Sequence, residues 1–422
     1  MTEDGWPLSE GEDAVLLHFA DCAFPGEKPP VIGVAVSGGS DSMALLHLFA
    51  RAQAHRGGEV RAVTVDHRLR PEAADEARFV AECCKTLGVR HDTLIWDHGP
   101  IQGNLQDQAR RARYNLIAGW ARENGIGHVV TGHTADDQAE TFLMGLVREA
   151  GVDGLAGMRR SWEEAGLRWA RPYLLTLRED LRAYLTRNGV GWVDDPSNAD
   201  ERFTRVRARK ALKALRPLGI TVEKLSTVTS NLAMAQGALR AAASDKAAQV
   251  AQTRAGEVII ARAEFGRLGP EMMRRILIGA LRWIARGGYA PRGEAVLRLE
   301  RAIAEGRDAT LAGCRIVIAD TEIRMTREPK AVTGVEGPTD ALWDGRWRLT
   351  GPHDPGLSVR ALGAAGLRRC EDWRATGQTR AALVVSPAVW CGDTLIAAPL
   401  AGLENGWTAE IVAGFHSFLL SH

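Results

Sequence analysis

The sequence has no long apolar run and no recognisable export signal. Its hydrophobic stretches are interrupted by charge or glycine well before the roughly 18 residues that a membrane-spanning helix needs. The first residues, MTEDGWPLSEGED, are acidic and lack the basic-then-apolar order of a signal peptide. These two absences predict a cytoplasmic protein without a membrane partner.

Cysteine is also scarce and scattered. The six cysteines form no CxxC pair and no cluster with histidine at metal-ligand spacing. Zinc and iron–sulfur sites are therefore disfavoured, and free, mostly packed thiols are expected. The cysteines are Cys22, Cys83, Cys84, Cys314, Cys370 and Cys391.

Length and charge set wide limits. A chain of 422 residues predicts two or three domains, because a single hydrophobic core stops growing well below this size. Hydrophobic residues make up 45% and charged residues 25% of the chain, as in ordinary globular proteins. The net charge of +1 indicates neither an anionic nor a cationic partner.

The first half alternates β-branched runs with helical patterns. The predicted strands are VIGVAVS, VRAVTVD, DTLIW and HVVTGH, and the predicted helices cover about residues 42–54, 74–87, 106–123 and 136–146. Strands that alternate with helices require crossover connections, so a parallel sheet covered on both faces is expected. This part of the chain is predicted to be an α/β domain.

The second half is divided differently. About residues 222–304 are helical and alanine-rich around the short run EVIIARAEF, and CRIVIA and EIRMTRE then look like a hairpin. Turn-rich sequence follows with short strands RWRLT, LSVRAL and TLIAAPL and the helix-like LRRCEDW. We predict a catalytic domain over residues 1–216, a mainly helical domain over 217–328 and a small α+β domain over 329–422.

The string SGGSDS, residues 37–42, follows the first predicted strand and opens a helix. Its two glycines lack the Cβ atoms that would block a tight turn, so backbone N–H groups and the helix dipole can face an anion. Three hydroxyls can donate to phosphate oxygens, and Asp41 can hold Mg²⁺. Such residues also cap ordinary helices. The position at the carboxyl end of a central strand favours ATP binding by Ser37, Gly38, Gly39, Ser40, Asp41 and Ser42.

Asp137 and Glu140 are three residues apart on a predicted helix and share one face. Two carboxylates on one face can bind an ammonium group, although a solvated acidic first turn has the same spacing. His133 ends the preceding strand and would point towards the same place.

Arg110 and Arg113 share another helical face, where they could clamp a phosphate or form a solvated stripe. His67 follows the second strand, close to where adenosine is expected in a sheet of this class.

SGGSDS resembles the loop of the N-type ATP pyrophosphatases, which cleave ATP between its α and β phosphates and adenylate a carbonyl oxygen. Further segments are similar to the tRNA(Ile)-lysidine synthase family in particular. They are DHRLR (66–70), ARRARY (109–114), GHTADDQAET (132–141), RPYLLTLREDLRAYL and WVDDPSN (192–198), and the resemblance covers about residues 31–210.

The resemblance implies a two-step reaction. The 2-carbonyl oxygen of the first anticodon cytidine of a CAU-anticodon isoleucine tRNA attacks the α-phosphate of ATP, and free lysine then displaces AMP. It implies catalytic roles for Asp41, Arg113, His133 and Asp137, ATP binding by the loop and His67, magnesium at Asp41, and lysine binding by Asp137 and Glu140.

Residues 202–216 contain seven basic residues and no acidic one. Clustered arginines and lysines fit a nucleic-acid backbone, although most such runs are solvated helix faces. The resemblance assigns Arg205, Arg207 and Arg209 to tRNA binding, but Val206 stands where the family carries asparagine.

In that family the appended domains read the tRNA. Trp343, Trp347 and Trp390 could therefore stack on bases, although aromatic side chains in a small domain more often form its core.

Two other functions remain open at the level of sequence. A tRNA cytidine thiolase of the same superfamily would need paired cysteines or a cluster, which this chain lacks. A non-catalytic ATP-sensing tRNA-binding protein would bind ATP without releasing pyrophosphate. The oligomeric state, a homodimer included, and the rejection of methionine tRNAs are not encoded in any motif.

Overall fold

The computed structural model describes residues 12–21, 23–69, 72–99, 103, 105–194, 202, 204–286 and 290–421. Two compact units, Met1–Ala235 and Gln236–His422, divide the chain. Cys22, Arg70 and the string DPSN (195–198) lie outside the described residues. The predicted three-domain division remains a prediction.

A six-stranded sheet organises the first unit. Its strands are β1 (Val31–Ala35), β2 (Glu59–Asp66), β3 (Arg90–Ile95), β4 (His128–Thr131), β5 (Ser161–Glu164) and β6 (Leu167–Ala170). Their order is β3-β2-β1-β4-β6-β5, with parallel neighbours from β3 through β6 and an antiparallel edge strand β5. The predicted parallel α/β fold is confirmed. Chain order reverses between β1 and β4, which is where ligands bind in open α/β sheets.

Helices connect these strands close to the predicted positions. They are α1 (Glu12–Asp21), α2 (Ser40–Arg56), α3 (Ala73–Thr86), α4 (Leu105–Glu123), α5 (Ala135–Leu146), α6 (Val152–Leu155), α7 (Arg178–Arg187) and α8 (Thr204–Leu215). A longer helix, α9 (Val222–Val250), contains the boundary between the two units.

Residues of β1 point alternately to the two faces of the sheet, and both faces are covered by helices. Ile32 and Val34 join a core formed with α1, α2, α3 and α7. Gly33 faces the other side, where a Cβ would lie 3.1 Å from the ring of Trp120 in α4. Successive side chains of a strand point to opposite faces, so an apolar run without polar alternation predicts burial on both.

The second unit contains antiparallel sheets. One has the order β7-β8-β11-β10-β9, another β12-β14-β15-β16, and β13 pairs with β17. The strands are β7 (Ala251–Arg254), β8 (Glu257–Ala261), β9 (Ala309–Leu311), β10 (Cys314–Ile318), β11 (Glu322–Arg327), β12 (Gly337–Pro338), β13 (Trp347–Thr350), β14 (Ser358–Ala361), β15 (Pro387–Cys391), β16 (Thr394–Ala397) and β17 (Thr408–Ile411).

The helices of this unit are mostly short. They are α10 (Arg262–Phe265), α11 (Pro270–Ile284), α12 (Gly293–Ala304), α13 (Pro329–Val332), α14 (Gly363–Leu367), α15 (Arg380–Val384) and α16 (Phe415–Ser421). The predicted hairpin of CRIVIA and EIRMTRE is confirmed by the β10–β11 pairing. The predicted helix over LRRCEDW is wrong, because α14 ends at Leu367 and a separate 3-10 turn begins at Trp373.

The structure also bears on the predictions for the tryptophans, the cysteines and membrane-spanning helices. Trp343, Trp347 and Trp390 are core residues, between 3% and 6% exposed. The cysteines other than Cys22 are free thiols. None of the helices described is long and apolar enough to cross a membrane.

Candidate active site

The loop after β1, residues 37–42, is held in shape by a left-handed glycine and by hydrogen bonds of the Ser42 side chain. Gly38 has φ +88°, a left-handed conformation in which a Cβ would be strained, and Gly39 is the N-cap of α2. The Ser42 hydroxyl accepts from the Ser37 N–H at 3.0 Å and donates to the Gly39 carbonyl at 3.0 Å. Ser42 is buried and its hydroxyl joins two parts of the loop, whereas Ser37 is exposed to solvent.

The loop after β4 lies directly against this turn. A Cβ on Gly132 would meet the backbone of Asp41 and Ser42 at 3.0 Å, so glycine permits an unusually close approach of two chain segments. The approach follows from the β1–β4 pairing, which brings the carboxyl ends of both strands to one edge. The start of α5 is thereby placed next to Asp41.

Asp137 and Glu140 lie on α5, and both are buried. Asp137 Oδ2 accepts from the Thr134 N–H at 3.0 Å and from the Thr134 hydroxyl at 3.1 Å, which caps the helix. Its side chain is 8% exposed and that of Glu140 is 0% exposed. A solvated acidic turn, the alternative that spacing left open, is excluded by this burial.

Arg178, the first residue of α7, contacts both the loop after β1 and the acidic pair, Asp137 and Glu140. Its Nε donates to Asp41 Oδ2 at 2.8 Å, its Nη2 lies 3.4 Å from Asp137 Oδ2, and its Nη1 lies 3.8 Å from Glu140 Oε1. Packing of α7 against α2 brings the side chain here. The Arg178 N–H also donates to Asp136 Oδ2 at 2.8 Å, which anchors the start of α7 to α5.

No role was predicted for Arg178 from the sequence. One signal was present, since a positive charge at a helix N-terminus opposes the helix dipole and calls for a specific reason. The residue also lies within the RPYLLTLREDLRAYL segment that carries the family resemblance.

Arg209 is the second cation at the acidic pair. Packing of α8 against α5 places its Nε on Glu140 Oε1. Arg205 and Arg207 are exposed on α8, and Val206 is buried beside them. The three predicted tRNA-binding arginines therefore occupy two different environments, and their contact with tRNA stays a prediction.

Burial and neighbouring charges set the acidity of these groups. Burial raises the pKa of Asp41, and Arg178 opposes this only in part. Burial, and then the charge of Asp137, raise the pKa of Glu140. Burial also favours a higher pKa for Asp137, but the charge of Arg178, the Thr134 N–H and the charge of Arg205 outweigh it and the pKa is lowered. Asp137 is thus the carboxylate most firmly held in its charged form.

His133 lies at the junction of the loop and α5. Its Nδ1 is 3.1 Å from the Thr131 hydroxyl. Burial, and then the charge of Arg171, lower the pKa of His133 to about 3. The ring is therefore neutral near pH 7, so it can orient a ligand through one N–H donor and one nitrogen acceptor but carries no positive charge there.

His67 and Arg113 meet at the end of β2. Arg113 Nε lies 3.4 Å from His67 Nε2, and the His67 ring packs edge-on against Trp96 at 5.7 Å. Burial, and then Arg113, lower the pKa of His67 to about 4. Arg110 lies over the Tyr114 ring at 5.2 Å. The predicted adenosine lining and the predicted clamp thus share one corner of the site.

The donor set fits ATP with a magnesium ion. The loop offers backbone N–H groups and the exposed Ser37 hydroxyl, which suit phosphate oxygens. Asp41 supplies a carboxylate, the type of ligand that Mg²⁺ prefers, and its Oδ2 already accepts from the Arg178 guanidinium.

Comparison with known proteins agrees with this geometry. The PP-loop domain family matches residues 15–215, a range that contains every residue of the site. A tRNA(Ile)-lysidine synthase of Ruegeria pomeroyi is 46% identical over 410 residues, which is 96% of this chain and 98% of that protein. The chain belongs to the tRNA(Ile)-lysidine synthase family.

A second lysidine synthase, from a Bradyrhizobium species, is 38% identical over 355 residues, or 78% of this chain and 97% of that protein. Among solved structures, the U34-tRNA thiolase NcsA from Methanococcus maripaludis is 12% identical and covers 53% of this chain and 80% of its own, with a TM-score of 0.46. A likeness at that level carries no assignment. The lysidine synthase resemblance inferred from motifs is confirmed, and the matched region ends at the last residue of α8.

Proposed function

We propose that this protein joins free lysine to the 2-carbon of the first anticodon cytidine of a CAU-anticodon isoleucine tRNA, with ATP converted to AMP and pyrophosphate. The observation that carries the proposal is the contact between Arg178 and both halves of the site. One guanidinium links a phosphate-binding turn to a buried acidic pair within a lysidine synthase family chain.

The first step uses the loop and its surroundings. The cytidine 2-carbonyl oxygen attacks the α-phosphate, and pyrophosphate leaves as the new P–O bond forms. Loop N–H groups and the α2 dipole stabilise the charge that grows on the leaving group. Magnesium held at Asp41 would supply further neutralisation of the phosphates when bound. Arg113, beside His67, orients the nucleotide or the activated base.

The second step uses the acidic pair. Asp137 and Glu140 bind the ammonium of lysine, and an uncharged amino group of the amino acid attacks the activated carbon. As the new C–N bond forms, the C–O bond breaks and AMP leaves with the former carbonyl oxygen, while the attacking nitrogen gives up one proton to water. Neutral His133 positions the reactants through its ring nitrogens, since a pKa of about 3 makes it a weak base.

Exposed Arg205 and Arg207 hold the tRNA backbone in this proposal, and the second unit contributes to tRNA recognition. Both contacts need only positive charge or shape and are compatible with sequence-tolerant binding. A cytoplasmic location is part of the same proposal, and a homodimer remains a prediction without a structural argument.

Pyrophosphate release tests this function. Purified protein is mixed with ATP, magnesium and either a CAU-anticodon isoleucine tRNA transcript or the same transcript with a GAU anticodon. We expect release with the first transcript and background with the second. ATP binding without release for either transcript would support the non-catalytic alternative, and equal release for both would contradict the assigned substrate.

A further inference from the structure

Arg178 is shared by two sites that must bind different molecules. Its guanidinium contacts Asp41 of the loop after β1, here called the phosphate turn, on one side and the acidic pair on the other. Its backbone is fixed by the Asp136 carboxylate, so the side chain can change partners while its attachment point stays in place. The side chain is 18% exposed and is therefore accessible to a ligand on the turn.

Several carboxylates and arginines meet around Arg178. Four carboxylates converge here, and two of the cations that contact them are Arg178 and Arg209. Glu140 Oε2 is buried and has no hydrogen-bond partner within the described residues. The acidic residues are Asp41, Asp136, Asp137 and Glu140. Arg178 lies 3.4 Å from Asp137 and 3.8 Å from Glu140, so its guanidinium holds a position that an ammonium ligand of these two carboxylates would take.

We propose that Arg178 is a positioning residue that couples the two substrates. When ATP occupies the turn, the guanidinium moves towards its phosphates, and Asp137 and Glu140 become available to the lysine ammonium. The inference rests on the proposed function, because it takes lysine as the ligand of the acidic pair.

The direction of this coupling follows from the chemistry of the groups. A guanidinium binds phosphate through two parallel N–H bonds, which is stronger than its present arrangement of one short and two longer contacts to carboxylates. A ligand shifts such an equilibrium only if it interacts differently with the two positions, and the phosphates do. The coupling is reciprocal, so lysine must tighten ATP binding by the same factor.

Equilibrium binding of labelled lysine measures this coupling without catalysis. The full chain is titrated with and without magnesium and an ATP analogue that carries a methylene bridge between the α and β phosphates. We expect the analogue to tighten lysine binding to the unaltered protein on the order of tenfold. In Arg178→Gln, lysine should bind more tightly without the analogue, and the tenfold effect should disappear.

Two further variants separate coupling from folding. Arg178→Lys keeps the charge but not the planar fork, so the coupling factor should fall to between those of the unaltered protein and Arg178→Gln. Arg187→Gln changes an exposed arginine at the other end of α7 and should keep the full factor. Thermal melting of each variant identifies any that is misfolded, in which case Arg178→Lys decides.

A coupling factor unchanged in Arg178→Gln or Arg178→Lys would overturn the inference, as would its absence from the unaltered protein. If Arg178 had a purely structural role, its replacement would weaken the binding of lysine and of the ATP analogue together and leave the coupling factor unaltered. Transfer of lysine to the CAU transcript by the unaltered protein distinguishes the two levels. If transfer occurs and the coupling does not depend on Arg178, the inference alone fails, whereas failure of both binding and transfer contradicts the proposed function.

Discussion

The phosphate turn and the acidic pair occupy one edge of the same sheet but are built on opposite principles. The turn relies on backbone N–H groups, two glycines and hydroxyls, and its shape is fixed by Ser42 and by the close approach of Gly132. The pair relies on buried carboxylates whose charges are balanced by arginines from two other helices. A change of shape should therefore damage the first, and a change of charge the second.

Replacing Asp137 with Asn gives the largest expected effect and tests the charge-based half. Asparagine keeps an acceptor for the Thr134 N–H, so α5 keeps its cap, but the charge that faces Arg178 is lost. Losing one member of a buried charge pair costs about 2–5 kcal/mol, so kcat/KM for lysine should fall roughly a hundredfold or more. ATP affinity should change far less. Steady-state kinetics with lysine and ATP varied separately measures both.

The matched control is Glu123→Gln, an exposed carboxylate at the end of α4. It should leave both parameters as they are. Equal losses of lysine use and ATP binding in Asp137→Asn would show that the acidic face is misassigned.

Replacing Gly132 with Ala tests the shape-based half. The new Cβ would press on the backbone of Asp41 and Ser42 at 3.0 Å and push the two loops apart. Overpacking of this kind costs about 1–3 kcal/mol, so ATP affinity should weaken about tenfold. Gly127→Ala, at a position with nothing within 4 Å of the new Cβ, is the control. Equal ATP titrations for both alanine variants would refute the shape argument.

Two arginine variants on α8 test which of its arginines faces the tRNA and which faces the acidic pair. Exposed Arg207→Gln should lower the slope of log K for tRNA against log salt by about 0.9, the value for one lost phosphate contact. Arg209→Gln should leave the slope nearly unchanged, because Arg209 is paired with Glu140. Filter binding at several salt concentrations gives the slopes. Identical slopes for the two variants would place both arginines in one environment.

His133→Asn has the smallest expected effect and concerns the junction between the halves. Its folded-state pKa of about 3 lies below the ordinary value of 6.5, so the unfolded chain binds more protons between these values. Relative to the variant, the unaltered protein should lose stability as pH falls through this window. Melting temperatures of both proteins at about pH 8 and about pH 5 reveal the change. A difference that stays constant, or that favours the unaltered protein more at about pH 5 than at about pH 8, would mean that the folded-state pKa of His133 is not lowered.

Features that are local in the chain could be predicted from the sequence. The phosphate turn is continuous in sequence, so its glycines and hydroxyls could be recognised directly after the β-branched run of the first strand. Asp137 and Glu140 were found for a similar reason, because helical spacing puts them on one face. Alternating β-branched and helical segments likewise predicted the parallel sheet.

Contacts between residues far apart in the chain have no such local pattern. Arg178 lies more than a hundred residues from Asp41 in the chain, and only the packing of α7 on α2 brings them together. Arg209 was assigned to tRNA because a basic helix looks uniform in sequence, whereas packing of α8 turns this one side chain towards Glu140. Burial of charge depends on the assembled fold and has no local signature.

Transfer of labelled lysine to tRNA tests the central claim most directly. Purified protein is incubated with the CAU-anticodon isoleucine tRNA transcript, ATP, magnesium and labelled lysine, and the RNA is recovered and counted. The account predicts one lysine incorporated for each AMP and pyrophosphate formed, and none in Asp137→Asn. Folded protein that consumes ATP but leaves the tRNA unlabelled would contradict it.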